Sequence, residues 1–323
     1  MKKILSLVLV LMLSLMLCSV SFAAEDFKVG ILSIDQAIEA YASISSYFEG
    51  YATEAGWTCT IVSCNYDSAT QLKQMENFVA AGYDALLIFQ PADPVGIVSG
   101  VKDAMEAGTV VISYGTPIEL DNSELICDNY NAMFECGNQV RKWVDENKPE
   151  GTAKFGLMIQ ELNSESAWDR YNGVYDSLKE YIDAGKIEIV AEQVTQTHAE
   201  GMELAETLLT QYPDIDGFIS CTGGGGTGSN EAIVAAGRIG KSFVFGVDTT
   251  SDILNTLRTP EKCAYYCTMC VGSDTYMASK LFEMCQVVKD GKVDTLEPVY
   301  VAPCTVVTPE NVDAYIEQWG LKV

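Results

Sequence analysis

The sequence predicts an α/β protein made of two similar lobes, each a doubly wound parallel sheet, with a ligand cleft between them at the carboxyl ends of the strands. Three observations carry this. Short apolar runs alternate with amphipathic stretches of helical length, which implies parallel sheets covered on both faces. The second half repeats the plan of the first: Asp84-Ala-Leu-Leu-Ile88 and Asp216-Gly-Phe-Ile219 each follow an amphipathic helix and enter a strand. The chain has 323 residues, enough for two domains.

In the first half, residues 28–33 form a strand and a helix pattern runs to about Gly56. The second strand is 58–64. Ser68 and Gln71 have capping-box spacing, and Leu72, Met75, Phe78 and Val79 share one helical face that ends at Gly82. Residues 85–89 read as a buried strand. Asp93-Pro94 marks a helix start, since proline at the first helical position loses no hydrogen bond. That helix reaches Gly108, and 110–114 is the fourth strand. After the polar stretch 147–152, strands are expected at 155–159, 187–193, 218–221, 243–247 and 264–270, with a helix at 168–184. Thr197 and Glu200 again have capping-box spacing, ahead of Leu204, Ala205, Leu208 and Leu209.

The N-terminus reads as a secretory leader over residues 1–23. Lys2 and Lys3 precede a continuous apolar run, and Ser21-Phe22-Ala23 places small residues before the cut. Cys18 offers lipidation as an alternative, disfavoured by Leu17 before it. The formal net charge of −25, carried despite two leader lysines, excludes nucleic acid and anionic lipid surfaces as partners. Ten cysteines follow the leader: Cys59, Cys64, Cys127, Cys136, Cys221, Cys263, Cys267, Cys270, Cys285 and Cys304. Several lie in apolar strands as small buried hydrophobes, so most are expected to be free thiols.

The order of elements from Lys28 to Thr116, the segment from Gln71-Leu-Lys-Gln-Met-Glu76 to Gly82-Tyr-Asp-Ala-Leu-Leu-Ile88, the pair Asp128-Asn129, the helix with Arg170-Tyr-Asn-Gly173 and the strand Phe245-Gly-Val-Asp248 together carry a resemblance. Over essentially the whole chain after the leader, the sequence resembles type 1 periplasmic binding proteins, the ribose- and galactose-binding-like sugar receptors of ABC transporters. The resemblance implies two lobes joined by three chain crossings, at 24–122 plus about 250–295 and at 123–249 plus about 296–323. It also implies a monomer that closes on a small polar ligand and delivers it to a membrane permease, with a chemoreceptor as a further possible reader. No cofactor is implied.

Arg170 matches the family's ligand-binding arginine, whose planar fork donates to two hydroxyls or a carboxylate; a surface ion pair is the structural alternative. Asp248 matches the family's cleft aspartate and competes with a role as cap for a helix near Ser251. Asp35 and Gln36 follow the first strand, where the family places polar and aromatic contacts; its aromatic pair is missing here and Tyr41 is the nearest ring. Tyr114 and Trp168 are candidates for stacking on a sugar ring, or for packing. Asp128 and Asn129 follow the first crossing, where they also suit a helix N-cap. Three departures stand out: Gly115 in place of an aspartate, Thr222 in place of an asparagine, and Met269 in place of a glutamine or asparagine. They point away from ribose or glucose and toward a smaller or less hydroxylated ligand.

Three motifs are weighed and set aside. Gly223-Gly-Gly-Gly-Thr-Gly228 lacks a phosphate-loop lysine at the required spacing and reads as a flexible cleft loop ahead of a helix at Ser229. Cys263, Cys267 and Cys270 have an iron–sulfur spacing, but in a strand Cys263 and Cys267 face one way and Cys270 the other, so no metal site is expected. His198, the only histidine, stands at a polar helix start, and no catalytic set can be assembled around it. The expected function is therefore a non-enzymatic solute receptor of an ABC importer, exported to the periplasm or the outer membrane face, for a sugar or sugar-like molecule. A non-sugar ligand such as a signalling molecule, nucleoside or amino-acid derivative is the alternative, and an exported hydrolase is the rival class.

Overall fold

The computed structural model describes residues 27–321, so the expected leader and Cys18 lie outside the described residues. In chain order the elements are β1 (Lys28–Ser33), α1 (Glu39–Glu54), β2 (Thr58–Ser63), α2 (Ser68–Ala80), β3 (Ala85–Phe89), α3 (Val98–Glu106), β4 (Val110–Tyr114), β5 (Ser123–Cys127), α4 (Asn129–Asn147), β6 (Ala153–Ile159), α5 (Glu165–Asp183), β7 (Ile187–Val194), α6 (His198–Gln211), β8 (Gly217–Ser220), α7 (Gly223–Ala235), β9 (Phe243–Val247), α8 (Ser251–Leu257), β10 (Tyr265–Cys270), α9 (Asp274–Lys289), β11 (Val299–Ala302), β12 (Thr305–Val307) and α10 (Val312–Trp319).

The strands form two six-stranded sheets. The first, in order β11-β5-β4-β3-β1-β2, is parallel throughout. The second, in order β12-β10-β9-β8-β6-β7, is parallel except for β12, which runs antiparallel to β10 at its edge. Both are doubly wound. On one face of the first sheet α1 and α9 bury Ile44, Phe48, Leu281 and Met284 against Ile31 and Leu87. On the other, α2 and α3 bury Met75, Phe78 and Val101 against Leu32, Leu86 and Ile88. Side chains this size each contribute about 1.5–3 kcal/mol on burial, so these two-sided layers hold the lobe together. The second lobe repeats the arrangement, with α4 and α5 on one face and α6, α7, α8 and α10 on the other.

The chain passes between sheets three times: between β5 and α4, between β10 and α9, and between β11 and β12. These crossings lie later than expected from the sequence. Residues 123–127 pair with β4 and belong to the first sheet, residues 265–270 pair with β9 and belong to the second, and residues 299–302 return to the first. Strand pairing, which composition does not reveal, sets the division.

Other local expectations shift by small, explicable amounts. The cap of α2 is Asp67, whose side chain accepts from the Thr70 N–H, one residue before the expected Ser68. Gln71 instead turns inward, donating to the Gln90 carbonyl at 3.2 Å and accepting the Ala92 N–H at 2.8 Å, so it holds the loop after β3. Asp93-Pro94 opens a turn rather than the helix itself, which begins at Val98. The capping box of Thr197 and Glu200 forms as the spacing predicts. Cys267 and Cys270 face opposite cores as expected, whereas Cys263, which precedes β10, lies with Cys270 rather than with Cys267.

The turn into β5 carries an acid under stress. Burial pushes the Asp121 carboxyl up to about 6, with Ser113 opposing, and Oδ2 has no hydrogen-bond partner. Because the folded value exceeds the unfolded one, the folded state binds more protons between them, and this group's contribution to stability is lost as pH rises through about 6. Asp121→Asn is expected to raise stability near pH 7.5 by about 1 kcal/mol, allowing for solvent screening of a half-buried group, and to flatten the rise on acidification. Urea unfolding at pH 5 and 7.5 measures both.

Candidate ligand cleft

The site grows from what strand ends leave behind. Parallel strands all present their carboxyl ends to one edge, so the residues just after β8 and β9 and at the start of α4 converge. Arg170, on the second turn of α5, fills the space among them and is only 9% exposed. Its Nε donates to Asn129 Oδ1 at 2.8 Å, Nη1 to the Cys221 carbonyl at 3.0 Å, and Nη2 to Asp248 Oδ1 at 3.1 Å. Burial works against the guanidinium charge, and Asp248 overrides that cost and holds the pKa above its ordinary value.

Asp248 pays for this position in backbone geometry. Its φ is 74°, in the left-handed region that a non-glycine residue enters at a cost of about 1–3 kcal/mol. Four hydrogen bonds hold it there. Oδ1 takes Arg170, and Oδ2 accepts the Gly223 N–H at 3.1 Å at the start of α7. Its own N–H donates to the Met269 carbonyl at 2.9 Å, and its carbonyl accepts from Thr268 Oγ1 at 2.7 Å. The helix that starts at Ser251 is capped by Thr250, so the capping role weighed for Asp248 falls to its neighbour.

Between the sheets lies a cavity of about 290 Å³ lined from both lobes: Glu39, Tyr114 and Asp274 from the first, Asp248, Thr249 and Thr250 from the second. A smaller one, about 120 Å³, lies among Gly115, Thr116, Cys127, Asn129, Glu165 and Asp169. Carboxylates and hydroxyls that line one cavity together with an aromatic residue, Tyr114, suit a small polar molecule. The sequence profile of the periplasmic binding protein domain matches residues 29–292. The chain belongs to this family.

Among curated proteins, the chain is 26% identical to the D-xylose-binding periplasmic protein of Escherichia coli (strain K12), over 76% of this chain and 74% of that protein. It is 28% identical to the putative rhizopine-binding protein of Rhizobium meliloti, over 75% of each. Among solved structures, an ABC transporter periplasmic solute binding protein from Actinobacillus succinogenes 130z with bound D-allose superposes with a TM-score of 0.75 at 16% identity, covering 90% of this chain and all of that one. A solute binding protein from Bacillus halodurans C-125 with bound myo-inositol gives 0.72 at 19% identity, covering 92% of this chain and 100% of the other. At those identities the structures speak for the fold, which is that of a periplasmic binding protein.

Within this periplasmic binding protein, the residues singled out from sequence separate into three groups. Arg170, Asn129 and Asp248 form one bonded unit, and Asp248 and Tyr114 line the larger cavity. Thr222 caps α7, accepting the Gly225 N–H at 2.9 Å, and lines an open groove of about 470 Å³ with Gln160, Gln196 and Asp248. Asp128 caps α4 through the Asn131 N–H, the structural role it was weighed against.

The remaining five lie elsewhere. Asp35 accepts the Ala37 N–H in its own turn, Gln36 donates to Ser45 Oγ, and neither lines the two interlobe cavities. Tyr41 packs on Phe89 and Tyr114 and donates to Gln90 Oε1 at 2.7 Å. Trp168 is 47% exposed and packs edge-on against Tyr171, outside both cavities. Met269 is fully buried in the core beneath α4 and α5, because strand alternation turns it away from the cleft, and it makes no cleft contact.

Sequence reasoning missed Glu39 and Asp274, which head α1 and α9 on the first lobe. Desolvation raises the Asp274 carboxyl, and Glu39 raises it further while Ser43 opposes. The readable signal was Ser273-Asp274 just after Gly272, an N-cap arrangement that followed the last recognised strand. Gly272, at φ 111°, has no room for a Cβ, which would meet Met277 Cε at 2.3 Å. His198 lies on the second lobe, with Nδ1 at 3.0 Å from Thr227 Oγ1 and Nε2 at 2.8 Å from Glu231 Oε2, in a groove that neither Arg170 nor Tyr114 lines. Among the described residues no cluster of histidine, cysteine and carboxylate side chains is suited to a metal ion.

Proposed function

We propose that this protein is the solute receptor of an ABC importer, capturing a sugar or sugar-like small molecule between its lobes and handing it to a membrane permease. The observation that carries the reading is the cavity of about 290 Å³ lined by both lobes, with Asp248 clamped at its wall by Arg170. Ligand contacts available from both lobes at once favour the closed form, and the permease reads that form. Asp248 and Tyr114 act as ligand contacts, while Arg170, itself held by Asn129, positions Asp248. The leader expected at residues 1–23 supports export, and the named sugar-binding relatives support the ligand class.

Thermal unfolding against pentoses, hexoses, polyols, nucleosides and amino acids tests this. A ligand at a thousand times its dissociation constant is expected to stabilise the protein by about 4 kcal/mol. The ligand should be recovered unchanged after incubation; its consumption would revive the hydrolase reading. A response confined to nucleosides or amino acids would replace the sugar assignment.

A further inference from the structure

Among the described residues, the charged groups that line the two interlobe cavities are all of one sign. Glu39, Asp248 and Asp274 line the larger cavity, and Glu165 and Asp169 line the smaller; no described lysine, arginine or histidine lines either. A third, small pocket beside α1 and α9 again has Glu39 and Asp274 as its only charges. Arg170 does not offset this set: it lines neither cavity, and its charge is directed at Asp248, with three of its five N–H donors engaged by Asn129, Cys221 and Asp248. Asp248 is thereby neutralised. Glu39 and Asp274 are not: neither forms an ion pair among the described residues, and each repels the other. The same holds across the smaller cavity, where Glu165 and Asp128 repel Asp169.

Closure of two lobes removes water from such a cavity, and carboxylates without a counter-charge are costly to desolvate. A neutral sugar relieves this only through hydroxyl donors. An anionic ligand worsens it. A cation removes it.

We propose that the molecule taken by this cleft carries a protonated amine, as an amino sugar or aminopolyol does, seated between Glu39 and Asp274 of the first lobe and Asp248 of the second. This rests on the interlobe cavity being the ligand site. The acidic residues set the charge of that site rather than define it.

Matched triads that share one ring and differ in one group give the test: D-glucosamine, D-glucose and D-glucuronate, then D-galactosamine, D-galactose and D-galacturonate, by titration calorimetry on the purified protein. An amine is expected to bind at least about tenfold tighter than its neutral partner, with the carboxylate weakest. That advantage is expected to shrink as salt is raised. Glu39→Gln and Asp274→Asn are each expected to drive the amine-to-neutral ratio toward one, and the salt series on the unsubstituted protein stands if a variant fails to fold. A neutral sugar of these triads or of the wider panel that binds as tightly as any amine overturns the inference and leaves the sugar receptor standing. Binding of an acid sugar overturns it too. Silence across triads and panel overturns both.

Discussion

Replacing Arg170 with alanine is expected to abolish ligand binding and to destabilise the second lobe by about 3–5 kcal/mol, the cost of breaking a buried ion pair by removing one partner. The guanidinium serves three acceptors, and alanine leaves all of them without it: Asn129 Oδ1, the Cys221 carbonyl and Asp248 Oδ1. Asp248 suffers most, because its left-handed backbone is held by bonds that include this one. Relaxation of that residue toward ordinary φ would swing its carboxylate away from both Gly223 and the cavity. Arg170→Lys keeps the charge and loses the fork, so a loss between alanine and wild type is expected. Urea unfolding and calorimetry with whichever ligand the panel identifies measure the two effects. Retained affinity in a folded Arg170→Ala protein would remove Arg170 from the site.

Gly228→Val is expected to destabilise the same lobe by about 3 kcal/mol, the upper end for overpacking, without touching the cleft. A Cβ at Gly228 would lie 2.2 Å from the His198 carbonyl oxygen and 2.4 Å from the Met202 nitrogen, both backbone atoms of α6, so the helices must part. Gly201 faces it from α6 with the same constraint against Gly224 and Gly225. The control is Gly50→Ala on the exposed side of α1, where nothing lies within 4 Å; this change is expected to stabilise by about 0.5–1 kcal/mol. Thermal unfolding of the pair checks both signs. Equal midpoints for Gly228→Val and wild type would refute the close-contact account.

That contact also corrects the reading of the glycine run. Six residues, five of them glycine, look like a flexible loop, yet Gly223 to Gly228 form the first turns of α7, capped by Thr222 and Asp248. Glycine there costs helix propensity, and tertiary packing overrides it because only glycine lets α6 approach. Composition shows the glycines and not the neighbour that needs them. The apolar strands of both lobes were readable because two-sided burial makes them continuous, as in Ala85–Phe89. β11 and β12 escaped notice for the opposite reason: they are short edge strands, partly exposed, with no such pattern. Arg170 and Asp248 were legible through motif position. Met269 misled because a position matched by register says nothing of which face a side chain takes, and the meeting of Glu39 with Asp274 could not be read because it depends on α1 and α9 packing together from opposite ends of the chain, although the cap before Asp274 could.

The packing of α9 against α1 governs how this chain can be assembled. The first lobe begins near residue 27 and is finished only by α9 and β11, so the whole second-lobe sheet except β12 is synthesised while that lobe still lacks a wall. Until then Ile44, Phe48 and Leu87 have no cover from Leu281 and Met284. A nascent chain therefore passes through a long interval with one apolar sheet face covered by α1 alone, a condition in which chaperones bind and aggregation begins. Fragments cut at the first crossing inherit that half-covered face permanently. Producing the first lobe alone requires splicing residues 274–302 directly onto it, a rewiring that the three crossings otherwise forbid.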